Sequence, residues 1–124
     1  MTGARRGSRE MDWDEIVAFA LSLPGVTLER AAKGSMVPMV RSRQIAAPGR
    51  AAGTIALRAT REEIECLRAA EPDTFFQTSQ YEDWPVVLVH AALADADHLK
   101  ALIARAWWDR ASASQRAQRG GDRP

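Results

Sequence analysis

Disulfides, metal cages and phosphate loops are what this chain of 124 residues does without. Its one cysteine, Cys66, excludes an intramolecular disulfide and suits a reducing compartment. No apolar run approaches the roughly 20 residues needed to span a bilayer. The basic start, Met1 to Glu10, has no apolar stretch behind it to serve as a signal-peptide core. A cytoplasmic protein without membrane contact is expected. Two histidines, His90 and His98, and one cysteine match no metal-ligand spacing, and no glycine-rich phosphate loop is present. Neither metal nor cofactor is expected.

Catalytic candidates are equally sparse. Cys66 falls off the stripe formed by Ile64 and Leu67 and lies among Glu62, Glu63 and Glu65, which disfavour a thiolate. His90 follows an apolar run and His98 opens a helical segment, places where a histidine with a structural role is the simpler reading. None has the partners that nucleophilic or acid–base work requires, so no catalytic residue is assigned and the chain reads as non-enzymatic.

The formal charge of +1 conceals a segregation. Residues 1–10 carry Arg5, Arg6 and Arg9 against Glu10, and residues 105–124 carry five arginines against two aspartates. Residues 30–61 hold Arg30, Lys33, Arg41, Arg43, Arg50, Arg58 and Arg61 with no acid at all. Residues 62–97 reverse the sign, with nine acids against Arg68. The folded domain is therefore expected to be electrically two-sided.

Periodicity and punctuation give the order helix, several strands, helix, two strands, helix. Asp12 with Glu15 marks the start of the first helix, Trp13, Ile16, Ala20 and Leu23 form its inner stripe, and Pro24-Gly25 ends it. Turn residues at 33–35, 41–43 and 48–50 divide the next segment into hairpins. A second helix begins near Thr60, with Glu62 and Glu63 in its first turn, and stops before Pro72. Val86 to Val89 is apolar on both faces, as a central strand should be, and Asp95 or Asp97 caps a third helix. Residues 11–111 are read as one domain, flanked by basic, disordered tails at 1–10 and 112–124. Trp13, Ile16, Phe19, Leu88, Leu102, Ile103 and Trp107 are expected to share one core.

The run Phe75-Phe76-Gln77-Thr78-Ser79-Gln80-Tyr81-Glu82-Asp83-Trp84-Pro85 followed by Val86-Val87-Leu88-Val89 resembles the signature of the MmcQ/YjbR family. Leu23-Pro24-Gly25-Val26 and Ala106-Trp107 extend the likeness to about residues 12–111. The resemblance implies a two-layer α+β fold, three helices on one antiparallel sheet, and DNA binding through a double wing of hairpins. This chain departs from the pattern at Ser79-Gln80, at His90 and at Ser42, and Pro38 and Pro48 fall where relatives have strand residues. Proline cannot donate to a ladder, so the hairpin register is open to change.

Two functional readings follow. In the first, duplex DNA is held by Lys33, Arg41, Arg43 and Arg50, whose donors suit phosphates. In the second, the chain is a protein-interaction or small-ligand module using Thr78, Gln80, Tyr81, Trp84, His90 and Trp108. Trp108 falls opposite the core stripe of the third helix, where it could stack on a base, join a homodimer or be covered by the C-terminal tail. The hydrogen-bonding groups at 78–81 serve equally well to finish a loop.

Overall fold

Capping decides where the helices begin. The Glu15 amide donates to Asp12 Oδ1 at 2.8 Å while the Asp12 amide donates to Glu15 Oε1 at 3.1 Å. This reciprocal box starts α1 at Trp13 and the helix runs to Leu21. The structure, a computed structural model, describes residues 11–124, so the N-terminal tail assigned to residues 1–10 lies outside the described residues. Thr60 and Glu63 form the same box ahead of α2, Arg61–Ala70. Asp95 caps α3, Ala96–Arg110, by accepting the His98 amide at 2.9 Å.

Among the described residues seven strands accompany these helices: β1 Val26–Arg30, β2 Met36–Val40, β3 Arg43–Gln44, β4 Ala46–Pro48, β5 Thr54–Arg58, β6 Phe75–Phe76 and β7 Val86–His90. The class is α+β, but the expected single sheet is corrected to two antiparallel sheets, ordered β1-β2-β3 and β4-β5-β7-β6. Pro38 supplies the reason. The β2–β3 register pairs Met39 with Gln44 and Val40 with Arg43, which places Pro38 opposite Ile45. The Ile45 amide donates to the Pro38 carbonyl at 3.0 Å, but the proline has no N–H to return. The Ile45 carbonyl instead accepts the Arg58 amide at 3.1 Å. One extended run, 43–48, thus begins in the first sheet and ends in the second. Arg41 and Ser42, the two residues between β2 and β3, both take positive φ, 54° and 63°, as a two-residue hairpin turn of the primed type demands.

Strand β7 lies between β5 and β6 and is buried on both faces, as its apolar sequence predicts. Alternation sends Val87 and Val89 towards the helices, into a core with Ile16, Ile55, Leu57, Ile64, Phe75, Leu102, Ile103 and Trp107. Trp13 and Phe19 pack against its edge. Leu88, expected in that core, is corrected to the opposite face, where it joins Ala56 and Val86 under Phe76 and Tyr81. A one-residue step along a strand reverses the face, and Leu88 sits on the odd step. The indole N–H of Trp107 donates to the Pro24 carbonyl at 2.8 Å, tying the end of α3 to the turn after α1.

The C-terminal tail needs a third correction, since Ala113–Arg119 forms a fourth helix, α4. Ser112 and Gln115 make a third capping box, at 2.9 and 3.1 Å. Seven residues, five of them polar, do not sustain a helix alone, so propensity gives no hint of it. Tertiary contacts hold it in place. Arg116 lies over the Trp108 ring at 5.3 Å and donates from Nε to the Trp108 carbonyl at 2.7 Å. Gln115 lies against Gly25, whose positive φ and missing Cβ leave room for it. Among the described residues no helix is long and apolar enough to cross a membrane.

Candidate functional site

The helix-free face of the four-stranded sheet carries a groove of about 550 Å³. One wall is the β1–β2 hairpin with Ala32 and Lys33, and the other is the segment containing Gln80, Tyr81 and Trp84. Val37, Ala47, Ala56 and Val86 line it with short apolar side chains, which leaves it concave. Arg50 and Arg58 complete the lining, which among the described residues contains no aspartate or glutamate.

Local structure positions each of these groups. Lys33 sits in a loop closed by the Ala31 amide on the Ser35 carbonyl and the Gly34 amide on the Ala31 carbonyl, both at 2.8 Å. Arg50 projects from the β4–β5 turn, which is tightened by the Gly49 amide on the Thr54 carbonyl at 2.8 Å and by Thr54 Oγ1 on the Ala51 carbonyl at 2.6 Å. Its guanidinium donates to Gln80 Oε1 at 3.4 Å and so joins the two rims. The opposite wall is organised by Gln77, whose Nε2 donates to the carbonyls of Tyr81, Trp84 and Val86 at 3.1, 3.4 and 2.9 Å. Arg68 donates to Gln77 Oε1 at 3.1 Å and orients that amide.

A second, wider depression of about 910 Å³ adjoins the first, because Gln44 and Arg58 line both. It contains Arg43, Arg110 and Arg123 together with Glu62, Glu63 and Asp109. Two of those acids are already committed. Arg123 grips Asp109 through two hydrogen bonds of 2.8 Å and reaches Glu63 Oε2 at 3.1 Å. The Asp109 bond leads the interactions that raise the Arg123 pKa above its ordinary value. Burial opposes ionisation of Glu63, but the Thr60 backbone and Arg123 outweigh it and hold its carboxyl below the usual value. Arg110 behaves oppositely: burial first, then the neighbouring Arg58, with Arg43 adding and Asp109 opposing, push its guanidinium below its ordinary pKa. Among the described residues Lys33, Arg43 and Arg58 form no ion pair.

The structure therefore merges parts of the two sequence readings. Lys33 and Arg50 share one groove with Gln80, Tyr81 and Trp84. Arg43 belongs to the neighbouring depression, and Arg41 lines neither, reaching the Arg110 carbonyl at 3.5 Å. Thr78 is exposed just before the turn 79–81 and makes no side-chain cap there. His90 is exposed at the end of β7 and stacks on Phe76 with ring centroids 4.5 Å apart. Trp108 is half-buried, edge-on to Trp107 and under Arg116, so the tail covers it. His98 is 3.7 Å from Glu71 and edge-on to Phe75, while Cys66 is exposed.

Three contributors escaped sequence reasoning: Arg58, Arg110 and Gln77. Arg58 stands in the acid-free run, a signal that was there to use, but its convergence with Arg43 and Arg110 depends on the sheet switch at Ile45. Gln77 stood inside the signature without any mark of its role. The chain was compared with protein-family models, curated proteins and solved structures, and none matches. The family resemblance accordingly rests on residues 75–89 and the two shorter segments.

Proposed function

We propose that the protein is a non-enzymatic nucleic-acid-binding module that holds DNA by its phosphates along the joined grooves. One observation carries this reading: Lys33, Arg50 and Arg58 converge on a concave surface that has no lining carboxylate among the described residues. Cations kept close together and unneutralised repel one another, and a polyanion relieves that repulsion while releasing its own counterions. Arg43 and Arg110 continue the cationic track into the second depression. The resemblance to MmcQ/YjbR proteins supports the same partner, although the cations involved are Lys33, Arg50 and Arg58 rather than Arg41.

Anisotropy titrations with a short labelled DNA at several salt concentrations test the proposal. With duplex DNA log K should fall by about 0.9 per phosphate contact per decade of salt, so three to five contacts predict a slope of roughly −2.7 to −4.5. The triple change Lys33→Ala, Arg50→Ala and Arg58→Gln should flatten that slope by roughly 2.7. Unchanged affinity in this variant, or no binding by the wild type at low salt, would sink the proposal.

The groove's size favours one competing reading. A volume of about 550 Å³ lies in the range of small-molecule sites, about 300–1,000 Å³. A mononucleotide that bound as tightly as the oligonucleotide would favour a small anionic ligand over a strand.

A further inference from the structure

We infer that the protein prefers an unpaired strand, with one base stacked on Trp84 and the neighbouring phosphates on Lys33 and Arg50. This rests on the phosphate-binding reading and adds the state of the nucleic acid to it. The argument begins with the tryptophans. Trp107 is fully buried, and Trp13 and Trp108 pack against the core, but Trp84 is 57% exposed. Leaving an indole in water forgoes the burial of a large apolar surface, and a partner that covers it recovers that stabilisation.

The backbone that carries the indole is also fixed. The Trp84 amide donates to the Tyr81 carbonyl at 2.9 Å, the Trp84 carbonyl accepts from Gln77, and Pro85 restricts the backbone that follows. Tyr81 lines the same wall, so two aromatic side chains face a lining of Val37, Ala47, Ala56 and Val86. A cationic track with aromatic side chains beside it is how proteins hold single strands, since every base has a face to stack and every nucleotide a phosphate.

Shape separates the two nucleic-acid states. A duplex turns its phosphates outward on a convex surface and keeps its base faces stacked inside, so an indole within a depression meets no base unless a pair is opened, at a cost of a few kcal/mol per step. A single strand bends into the groove and turns a base onto the ring without that penalty. Charge sets the footprint. On the far side of Trp84 the next depression is lined by Glu65 and Glu82 together with Arg61 and Arg68. The acid-free groove therefore ends at Trp84, and in the other direction it reaches, at Arg58, the depression where Arg43 and Arg110 stand with Glu62 and with Glu63 and Asp109, the two acids that Arg123 holds. A strand only a few nucleotides long fills the groove.

The test compares a DNA oligonucleotide, single-stranded and as a duplex of the same sequence, at one salt concentration. It uses wild type, Trp84→Phe and Trp84→Ala. The single strand should bind about tenfold more tightly and quench tryptophan emission. Trp84→Ala should weaken single-strand binding by roughly tenfold or more, while duplex affinity stays unchanged and Trp84→Phe keeps most of the preference. Trp84 is exposed, so an unaltered melting temperature should show that folding is intact. Equal binding of both forms, unaffected by Trp84→Ala, would overturn the inference and leave the phosphate-binding reading standing. Binding of neither form would overturn both.

Discussion

On one face of the four-stranded sheet Val87, Val89, Ile55 and Leu57 share a large core with α1, α2 and α3, while on the other Val86, Leu88 and Ala56 form a small cluster under Phe76 and Tyr81. The helical side obeys the local rules: its three helices begin at side-chain caps, and its large indole finds the Pro24 carbonyl. The open side breaks several. Among the described residues it leaves Lys33 and Arg58 without ion pairs, it exposes Trp84, and it lies beside a depression whose rim includes Ser42 in a left-handed conformation. Departures from local consistency tend to gather where function is, and here they gather around the two grooves.

The contrast should first appear in stability. Trp107→Ala removes the largest fully buried side chain and orphans the Pro24 carbonyl, so it should destabilise the fold by about 3–5 kcal/mol. Urea denaturation measures this, and a loss below about 1 kcal/mol, the size of an ordinary surface effect, would remove the distinction between the faces. Leu88→Ala on the open side should lose about 2–3 kcal/mol, at the low end for a buried leucine, because its small cluster has loose neighbours that can collapse around it. A loss equal to that of Trp107→Ala would mean that the open face carries as much of the fold as the helical one.

The smallest effect should have the opposite sign. Arg41 and Ser42 occupy the left-handed region that Asn and Gly adopt more readily. Arg41→Asn combined with Ser42→Gly should raise stability by about 1 kcal/mol, visible as a higher denaturation midpoint with an unchanged slope. Because Arg41 lines neither groove, the pair should weaken DNA binding less than Lys33→Ala alone. A larger loss would move the interface onto the hairpin turn.

Much of this organisation was legible from local chemistry. The cap at Asp12, a helix start near Thr60, a third cap at Asp95 or Asp97 that the structure places at Asp95, the inner stripe of α1 and the central place of β7 each depend on residues a few positions apart, where hydrogen-bond geometry and side-chain periodicity act directly. The acid-free run of residues 30–61 announced a basic surface. Both prolines were visible as threats to the hairpin register, but only Pro38 proved to divide the strands into two sheets.

What the amino-acid order determined by itself is the α+β class, the start of each of the first three helices and the supply of unopposed cations. The tertiary structure alone decided which cations meet. Arg58 joins Arg43 and Arg110 because the Ile45 carbonyl, left without a donor by Pro38, takes the Arg58 amide and carries the chain into the second sheet. It likewise decided that Leu88 faces the groove side and that Arg116 covers Trp108. A capping box closes within four residues, so local sequence marks it where a periodic apolar stripe follows, as after Asp12 and Thr60 but not after Ser112. Strand register and helix docking join residues far apart in the chain, and a shift of one residue reverses every side chain it carries.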